Sequence, residues 1–597
     1  MGMQPTTAYI AIASPIVIIG LSGVNVATPA AIAQSVNSSG TAGTVFAPEP
    51  NLPVSQTPRS TPPRLRPPPV QPELPIPQPL PSPPTIVPPP SPPSLPGGLE
   101  PGSVPGTIVV KRFEVVGSTI FGAADFAKIT APYTDRPITF AELMEAQAAI
   151  TQFYVDQGYF TSGAVIPPQT LEDGVVKVQI VEGEVEVIQV TGTRRLNPNY
   201  VRSRLAIGAQ KPLNSKKLLE ALQLLQLNPV IQTISAELAS GTRLGTNRLE
   251  VKVNEARTID VQVELDNNRS PAVGSFRRSL KLSEANLLGQ GDALQVGYAN
   301  TTGSHVIDFS YVYPVNPRNG AISVDFQQSF SRIIEEPFDP LDIKANSFNM
   351  SLNYRQPIIE TPTRFVSVGL GTYWRQSQTS ILDIPFPLSP GSDANGVTRV
   401  STVRFFQDWV ERGGESVFAA RSEFNVGLGV FNSGLDAPPP NGYFVLWRGQ
   451  AQWVKLLAPD ALLILQSSLQ LSDRTVTPFD QFSIGGQGSV RGYRQDLLLA
   501  DNGISASAEV RLPLWRLSQN RGVLQVAPFV DLGHVWNSQQ SAPDPNFLAS
   551  VGVGLRWQQG DLLTVRLDWG IPLVSVDVSK DSWQEKGLTF SLIYNLF

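Results

Sequence analysis

The chain contains no cysteine and only two histidines, His305 and His534, among its 597 residues. Disulfide scaffolds, zinc clusters and thiol catalysis are therefore excluded, and most metal or general-base sites lack their usual side chains. Charged residues make up only 16% of the sequence, well below the ~25% usual for soluble domains. The formal net charge of −5 provides no global basic field, which argues against nucleic-acid binding. No acidic pair stands in a general acid–base motif, so we predict no catalytic residue, no cofactor and no metal site.

Long apolar runs are also scarce. Residues 8–27 form the main one, and Ala31 to Ala33 follow it with a small-x-small pattern suited to signal-peptide cleavage. We therefore predict that residues 1–33 are a secretory signal peptide; an unstructured apolar leader is the alternative, because no Lys or Arg precedes the run. No other segment has the ~18 uninterrupted apolar residues that a membrane helix needs, so any membrane span must be built from strands.

Proline is concentrated in one tract. Between Pro48 and Pro105 lie 24 of the 54 prolines. Proline lacks an N–H group and fixes φ, so this tract predicts an extended, polyproline-II-like spacer without a core. We predict a disordered proline-rich linker over residues 34–107, and a ligand for an aromatic groove is the alternative.

Two copies of a small α+β unit follow, with predicted bounds 108–183 and 184–256. Val190 to Gly192 repeats Val115 to Gly117 at a spacing of 75 residues. In the first copy, Thr139 and the glutamate three residues later have the spacing of a helix capping box. The pattern predicts the order β-α-α-β-β in each copy.

These units carry a family resemblance. Gly158-Tyr159, Ile166 to Gln169 and Gly174 to Gly183 resemble the first POTRA domain of the two-partner secretion translocators, the ShlB/FhaC/HecB family, and residues 224–253 resemble the second. POTRA domains present sheet edges whose free N–H and C=O groups can pair with an incoming extended chain. A tandem of inert spacers is the alternative.

After Glu255 the apolar residues follow period two to the end of the chain. Long connections such as 377–397 and 473–502 alternate with short ones such as 290–292. This alternation predicts an up-and-down, sixteen-stranded antiparallel transmembrane β-barrel over residues 257–597, with the odd-numbered connections extracellular; an array of soluble β-sandwiches is the alternative. The predicted strands are 257–267, 274–288, 292–301, 304–314, 320–333, 347–357, 363–376, 398–411, 416–429, 442–456, 461–472, 503–514, 523–536, 547–558, 562–574 and 588–597.

The last strand ends in an aromatic residue. Tyr594 belongs to the apolar set that alternates from Leu588 to Leu596, and Phe597 lies one residue beyond that set. The ending resembles those that the barrel-assembly machinery of bacterial outer membranes reads, so Tyr594 and Phe597 are the predicted assembly terminus.

A glycine-rich motif lies in the long connection 473–502. Strands flank it on both sides, whereas a phosphate-binding loop needs a helix after it, and its glycines favour a tight loop with close backbone contacts. Val490 to Tyr493 matches the loop motif of the TpsB/BamA superfamily, and this resemblance implies a loop that folds back into the barrel with Arg491 at its tip. The predicted pore-loop residues are Gly485, Gly486, Val490, Arg491, Gly492 and Tyr493.

A strand that follows this loop offers Arg491 a partner. Alternation places Phe529, Asp531 and Gly533 on one face and leaves Val530 and Leu532 for lipid. Because a guanidinium can bind a carboxylate through two parallel hydrogen bonds, we predict that Asp531 pairs with Arg491 inside the barrel. Separate solvation of both charges in a wet lumen is the alternative.

The resemblance implies a translocator in the outer membrane of a Gram-negative-type bacterium, with its two POTRA domains in the periplasm. The implied partners are a secreted TpsA-like exoprotein, outer-membrane lipid and, during biogenesis, the barrel-assembly machinery; the barrel would be monomeric. Two alternatives stay open. A barrel-assembly or protein-insertion factor of the same superfamily would carry more POTRA domains, and a passive porin would need none.

Overall fold

The computed structural model describes residues 86–87, 106–429, 440–517, 522–577 and 582–596. They form two small α/β units followed by a closed β-barrel. The predicted signal peptide and most of the predicted linker lie outside these residues, except that Ile86–Val87 form a short strand, β1. Among the described helices, none is both long and apolar enough to cross a bilayer.

The first unit packs two helices against a small sheet. The predicted capping box is present at the start of its second helix. Thr139 Oγ1 accepts the N–H of Glu142 at 3.2 Å, and the Glu142 carboxylate accepts the N–H of Thr139 at 2.7 Å. The three-stranded sheet has the order β3-β6-β5, and β2 pairs with β4 in a separate two-stranded sheet. The strand β4 was too short to predict. The elements are β2 (Ile108–Val110), β3 (Arg112–Val116), α1 (Ala123–Thr130), β4 (Arg136–Ile138), α2 (Phe140–Asp156), β5 (Gly163–Val165) and β6 (Val175–Val181).

The second unit has the predicted order of strands and helices. Its elements are β7 (Glu184–Thr191), α3 (Pro198–Gly208), α4 (Ser215–Gln226), β8 (Ile231–Ser240) and β9 (Thr246–Glu255). Leu218, Leu222 and Leu225 of α4 are buried in the core that the helices form with this sheet. The sheet has the order β1-β8-β9-β7, with β1 parallel to β8. At Ile86–Val87 the structure therefore departs from the predicted linker without secondary structure.

Sixteen strands close an antiparallel barrel, which confirms the predicted fold class. The ring closes where β10 pairs with β28, from Gln262 opposite Asn595 to Asp266 opposite Ser591. The short β17 only extends β16, and β22 pairs with β23 inside a connection. The strands are β10 (Ile259–Asp266), β11 (Arg277–Glu284), β12 (Ala293–Asn300), β13 (Ser304–Pro314), β14 (Ala321–Arg332), β15 (Lys344–Glu360), β16 (Arg364–Ile381), β17 (Ile384–Pro385), β18 (Val397–Arg412), β19 (Ser416–Leu428), β20 (Tyr443–Ala458), β21 (Ala461–Ser472), β22 (Phe482–Ile484), β23 (Leu498–Ala500), β24 (Asn502–Leu517), β25 (Gly522–Trp536), β26 (Phe547–Gln559), β27 (Leu563–Pro572) and β28 (Leu588–Asn595).

The two faces of the wall differ as a barrel in lipid requires. On β25, Val530 and Leu532 are 46% and 44% exposed on the outer face, whereas Asp531 between them is fully buried toward the lumen. Strand side chains alternate, so a period of two gives one apolar and one polar face. Closure of the ring pairs both edges of every strand of the wall, which a structure in hydrocarbon needs.

The second unit is attached to one end of the barrel. Arg195 forms an ion pair with Glu284 at 3.1 Å and donates to the carbonyl of Asn286 at 3.2 Å. On α3, Arg204 donates to Asn319 Oδ1 at 2.8 Å. These barrel residues lie at or beside the turns β11–β12 and β13–β14, so the two units and the even-numbered connections share one end, and the long odd-numbered connections lie at the other.

Candidate functional site

The connection between β21 and β24 folds inward and packs against the barrel wall. We call residues 473–501 the lumen loop. Ile484, Val490 and Tyr493 of this loop form an apolar cluster with Val535 of β25 and Leu548 of β26. These apolar contacts with the wall keep the loop inside the barrel.

Glycines let the lumen loop approach the wall. Gly485, Gly486 and Gly492 have φ values of +109°, +93° and +91°, a region that residues with a Cβ rarely adopt. A Cβ at Gly570 of β27 would lie 2.5 Å from the backbone nitrogen of Gly492. Loop backbone and wall backbone are therefore in direct contact at this point, without a side chain between them.

Arg491 contacts two lumen-facing residues of β25, Asp531 and Phe529. Its Nε donates to Asp531 Oδ2 at 2.7 Å and its Nη2 to Asp531 Oδ1 at 2.8 Å, and its backbone N–H donates to Asp531 Oδ2 at 3.0 Å. The guanidinium carbon lies 3.4 Å from the centroid of the Phe529 ring, in cation–π geometry. The structure therefore brings the predicted loop tip and wall partners together through a two-bond ion pair.

Further charged residues surround Arg491 that the sequence analysis missed. Its Nη1 lies 2.5 Å from Glu509 Oε2 on β24 and 3.8 Å from Asp568 Oδ1 on β27. Arg556 on β26 contacts the same two carboxylates, at 3.1 Å and 2.7 Å. All of these side chains are buried, so each charge depends on its neighbours for stabilisation. Glu509, Arg556 and Asp568 could have been found from one shared feature of the sequence. Each is a charged residue at a lumen-facing position of an alternating strand.

The remaining motif side chains also contact the wall. A Cβ at Gly533 would lie 2.9 Å from Cγ2 of Val490, so the small wall residue makes room for the loop. The Tyr493 hydroxyl donates to the carbonyl of Ala549 at 2.9 Å and accepts the N–H of Val574 at 3.0 Å. Each predicted side chain of the motif has a specific contact with the wall.

A second attachment holds the beginning of the lumen loop. Arg375 on β16 donates to Asp480 Oδ1 at 2.9 Å and to the carbonyl of Phe479 at 3.2 Å. In the order of the ring, β16 is six strands away from β25. The loop is therefore anchored to two separate parts of the wall and lies across the lumen between them.

Two further predictions concern other places in the chain. Tyr594 lies on β28, 40% exposed, opposite Val263 in register, and Phe597 lies outside the described residues. Within the described part of the chain, no His, Asp and Glu side chains cluster as metal ligands. The carboxylates around the loop tip instead pair with guanidinium groups.

Replacement of Gly570 by Ala should displace the loop tip. The new Cβ would meet the backbone nitrogen and Cα of Gly492 at 2.5 and 2.7 Å, and backbone cannot move aside as a side chain can. Overpacking of this kind typically costs about 1–3 kcal/mol, enough for a roughly fivefold or larger rise in the displaced form. Limited trypsin digestion of the folded barrel should then cut faster after Arg491 and Arg494, which are largely buried.

The matched control is Gly449→Ala on β20. A Cβ there would approach only the outer ring atoms of Trp447, at 2.9 Å, and a side chain can give way. We expect no faster digestion of the lumen loop in this variant. Equal digestion of both variants would show that the contact between Gly570 and Gly492 does not hold the loop.

Comparisons with known proteins agree with this architecture. The family model for haemolysin secretion/activation protein ShlB/FhaC/HecB matches residues 245–557, and that for the ShlB-type POTRA domain matches residues 108–183. The heme/hemopexin transporter protein HuxB of Haemophilus influenzae (strain 86-028NP) is 21% identical over 477 residues, which cover 75% of this chain and 80% of HuxB. The outer membrane transporter CdiB of Dickeya dadantii is 23% identical over 472 residues, 74% of this chain and 79% of CdiB.

A solved structure shows the same fold. CdiB from Escherichia coli superposes with a TM-score of 0.64 at 18% sequence identity, covering 84% of this chain and 93% of that one. The regions that the two family models match include the first α/β unit and most of the barrel. The two family-model matches confirm the resemblance to the ShlB/FhaC/HecB family and to its first POTRA domain.

Proposed function

The chain belongs to the haemolysin secretion/activation protein family ShlB/FhaC/HecB, and on this premise we propose how its parts export a secreted protein partner. It is an outer-membrane β-barrel transporter of the two-partner secretion type, and the POTRA domain is periplasmic in this family. In our proposal, the two units bind the unfolded partner and pass it to the barrel, and the lumen loop controls passage. The partner would be a TpsA-like exoprotein.

Sheet edges support the docking step. In the first unit, β3 and β5 are the edges of the described three-stranded sheet, and in the second unit β7 is an edge. Backbone N–H and C=O groups along such edges can pair with the backbone of an extended segment. This pairing depends little on the side chains of that segment. An unfolded partner therefore fits these surfaces better than a folded one.

The observation that carries the proposal is the joint between the second unit and the barrel. Besides the Arg195 and Arg204 contacts, the N–H of Asn197 donates to the carbonyl of Gly289 at 2.8 Å. Tyr200 lies under the Arg204 guanidinium at 3.5 Å, and its hydroxyl accepts a hydrogen bond from Asn228 at 2.7 Å. This joint fixes the unit beside the barrel entrance, so a strand bound to its edge lies next to the lumen.

The lumen loop supports a gating step. It crosses the lumen between its anchors at Arg375 and Asp531, and it must move for a polypeptide to pass. Its anchors at Arg375 and Asp531 are isolated contacts with wall side chains, whereas the wall is held by continuous backbone ladders. The loop can therefore change position while the wall remains closed.

Co-expression provides the test of this function. The chain is expressed in a heterologous bacterium together with the secreted protein encoded by the neighbouring gene, and the medium is assayed for that protein. We expect the partner in the medium only when the transporter is present. If the chain is a barrel-assembly factor instead, its removal from the native host will deplete many outer-membrane barrels and leave partner secretion unaffected.

A further inference from the structure

Arg494 follows the loop motif directly and contacts neither Asp531 nor Glu509. Its guanidinium lies 2.8 Å and 2.9 Å from the two carboxylate oxygens of Glu335 and 2.9 Å from Glu585 Oε1. The three side chains are largely buried, and Glu585 is 1% exposed. One arginine therefore connects two carboxylates in a site with little solvent.

These residues come from three different connections. Arg494 belongs to the lumen loop, Glu335 to the connection between β14 and β15, and Glu585 to the connection between β27 and β28. All three connections lie at the end of the barrel away from the POTRA domains. Because β14 and β28 are not neighbours in the ring, no strand pairing joins their connections. Arg494 forms a bridge across the outer mouth.

Neighbouring hydrogen bonds and apolar contacts join these connections to one another and to further outer connections. The N–H of Gln495 donates to Gln584 Oε1 at 2.8 Å, and Gln584 Nε2 donates to the carbonyl of Arg269 at 2.7 Å. Ile333 and Ile343 of the β14–β15 connection share a buried apolar cluster with residues of two other outer connections. These contacts join the lumen loop and the β10–β11, β14–β15, β16–β18 and β27–β28 connections into one group at the outer end of the barrel.

We propose that Arg494 is the residue that latches the outer mouth in the resting transporter, separately from the Arg491 anchor of the loop tip. The proposal rests on the proposed export function, since release of the latch lets the partner leave. The physical basis of the latch is that one guanidinium holds two carboxylates together. Without the guanidinium, Glu335 and Glu585 face each other as two like charges, which favours separation of their connections.

The guanidinium stays charged in this site. Burial alone would lower its pKa, but the carboxylates of Glu335 and Glu585 raise the pKa of Arg494 above its usual range. Loss of the proton from Arg494 therefore does not open the latch. Its release needs a competing contact or a movement of the lumen loop.

Conductance of the full-length protein in planar bilayers tests the latch without the partner. Arg494→Gln should raise the open probability at rest several-fold, and Arg494→Lys should raise it less, because an ammonium keeps the charge but lacks the planar fork that reaches both carboxylates. The matched control is Arg474→Gln in the same loop, since Arg474 pairs with the adjacent Asp473 and is 42% exposed. An Arg494→Gln channel that behaves like the Arg474→Gln channel would overturn the proposal.

Two further variants make the test complete. If Arg494→Gln fails to insert, the double variant Glu335→Gln, Glu585→Gln removes the ionic bridge from the other side. It should also raise the open probability, but less, because no two like charges then face each other. Glu335→Cys with Glu585→Cys, joined by a reducible bifunctional thiol reagent, should block export until the link is reduced, and the absence of native cysteine makes the reaction specific. Export that continues through the linked protein would overturn the latch, whereas absence of export from the wild type would contradict the proposed function instead.

Discussion

Deletion of residues 108–255, which removes both α/β units, is expected to abolish export of the partner while the barrel still inserts into the outer membrane. The wall closes through the pairing of β10 with β28 and needs no residue of the deleted segment. Each of the two units also has its own buried core, so its loss does not open the barrel. Immunoblotting of the medium measures export, and the heat-dependent gel shift of outer-membrane fractions measures the folded barrel.

Two matched variants separate docking from attachment. Deletion of residues 108–183 keeps the second domain and its joint, so a loss of export here assigns docking to the first domain. The double variant Arg195→Ala, Arg204→Ala keeps both domains but removes guanidinium contacts with the barrel, and it should reduce export only partly. Export at the full rate after deletion of residues 108–255 would contradict the docking role.

Arg491→Ala is expected to reduce export nearly to background without preventing insertion. It removes the only guanidinium that reaches Asp531 among the contacts we describe, and truncation of one member of a buried charge pair typically costs about 3–5 kcal/mol. Asp531→Ala should be milder, because Glu509 and Asp568 still surround the Arg491 side chain. Secretion assays and channel recordings on both variants measure the difference.

The double variant Arg491→Ala, Asp531→Ala tests direct coupling. We expect it to be little worse than Arg491→Ala alone, because residues in one network are not additive. Arg491→Lys should retain partial export, since it loses the two-bond geometry and weakens the contact with Phe529. Arg474→Ala, in the same loop, serves as the control and should export normally; strictly additive losses in the double variant would argue against the pair.

The barrel could be predicted from the sequence because one physical rule covers all of its strands. A strand between lipid and a polar lumen must alternate, so a stretch such as Leu563 to Pro572 is recognisable without knowledge of its neighbours. All sixteen predicted strands have counterparts in the ring, with ends that differ by a few residues. The strands that were missed, including Arg136–Ile138, are too short to show a period.

The loop site could be predicted only in part. Asp531 stands alone as the acid on the lumen face of its strand, which made it the natural partner of Arg491. Glu509 and Asp568 also face the lumen, but their distance from Arg491 depends on the register of four successive strands, which the sequence pattern does not define. The contact between Gly492 and Gly570 could not be predicted for the same reason. A glycine in a strand does not indicate which part of the chain packs against it.

The short strand β1 has a consequence for the solubility of the periplasmic domains. An uncovered edge such as that of β8 is a template for aggregation, and natural proteins often protect edges with proline. Ile86 and Val87 lie beside Ala236 and Glu237 of that edge, between Pro84 and the run Pro88 to Pro90. Proline has no N–H to donate, so the prolines on either side of this strand are unfavourable residues for strand pairing. Ile86 and Val87 thus cover part of the β8 edge, which disfavours self-association of the transporter through that edge while it crosses the periplasm.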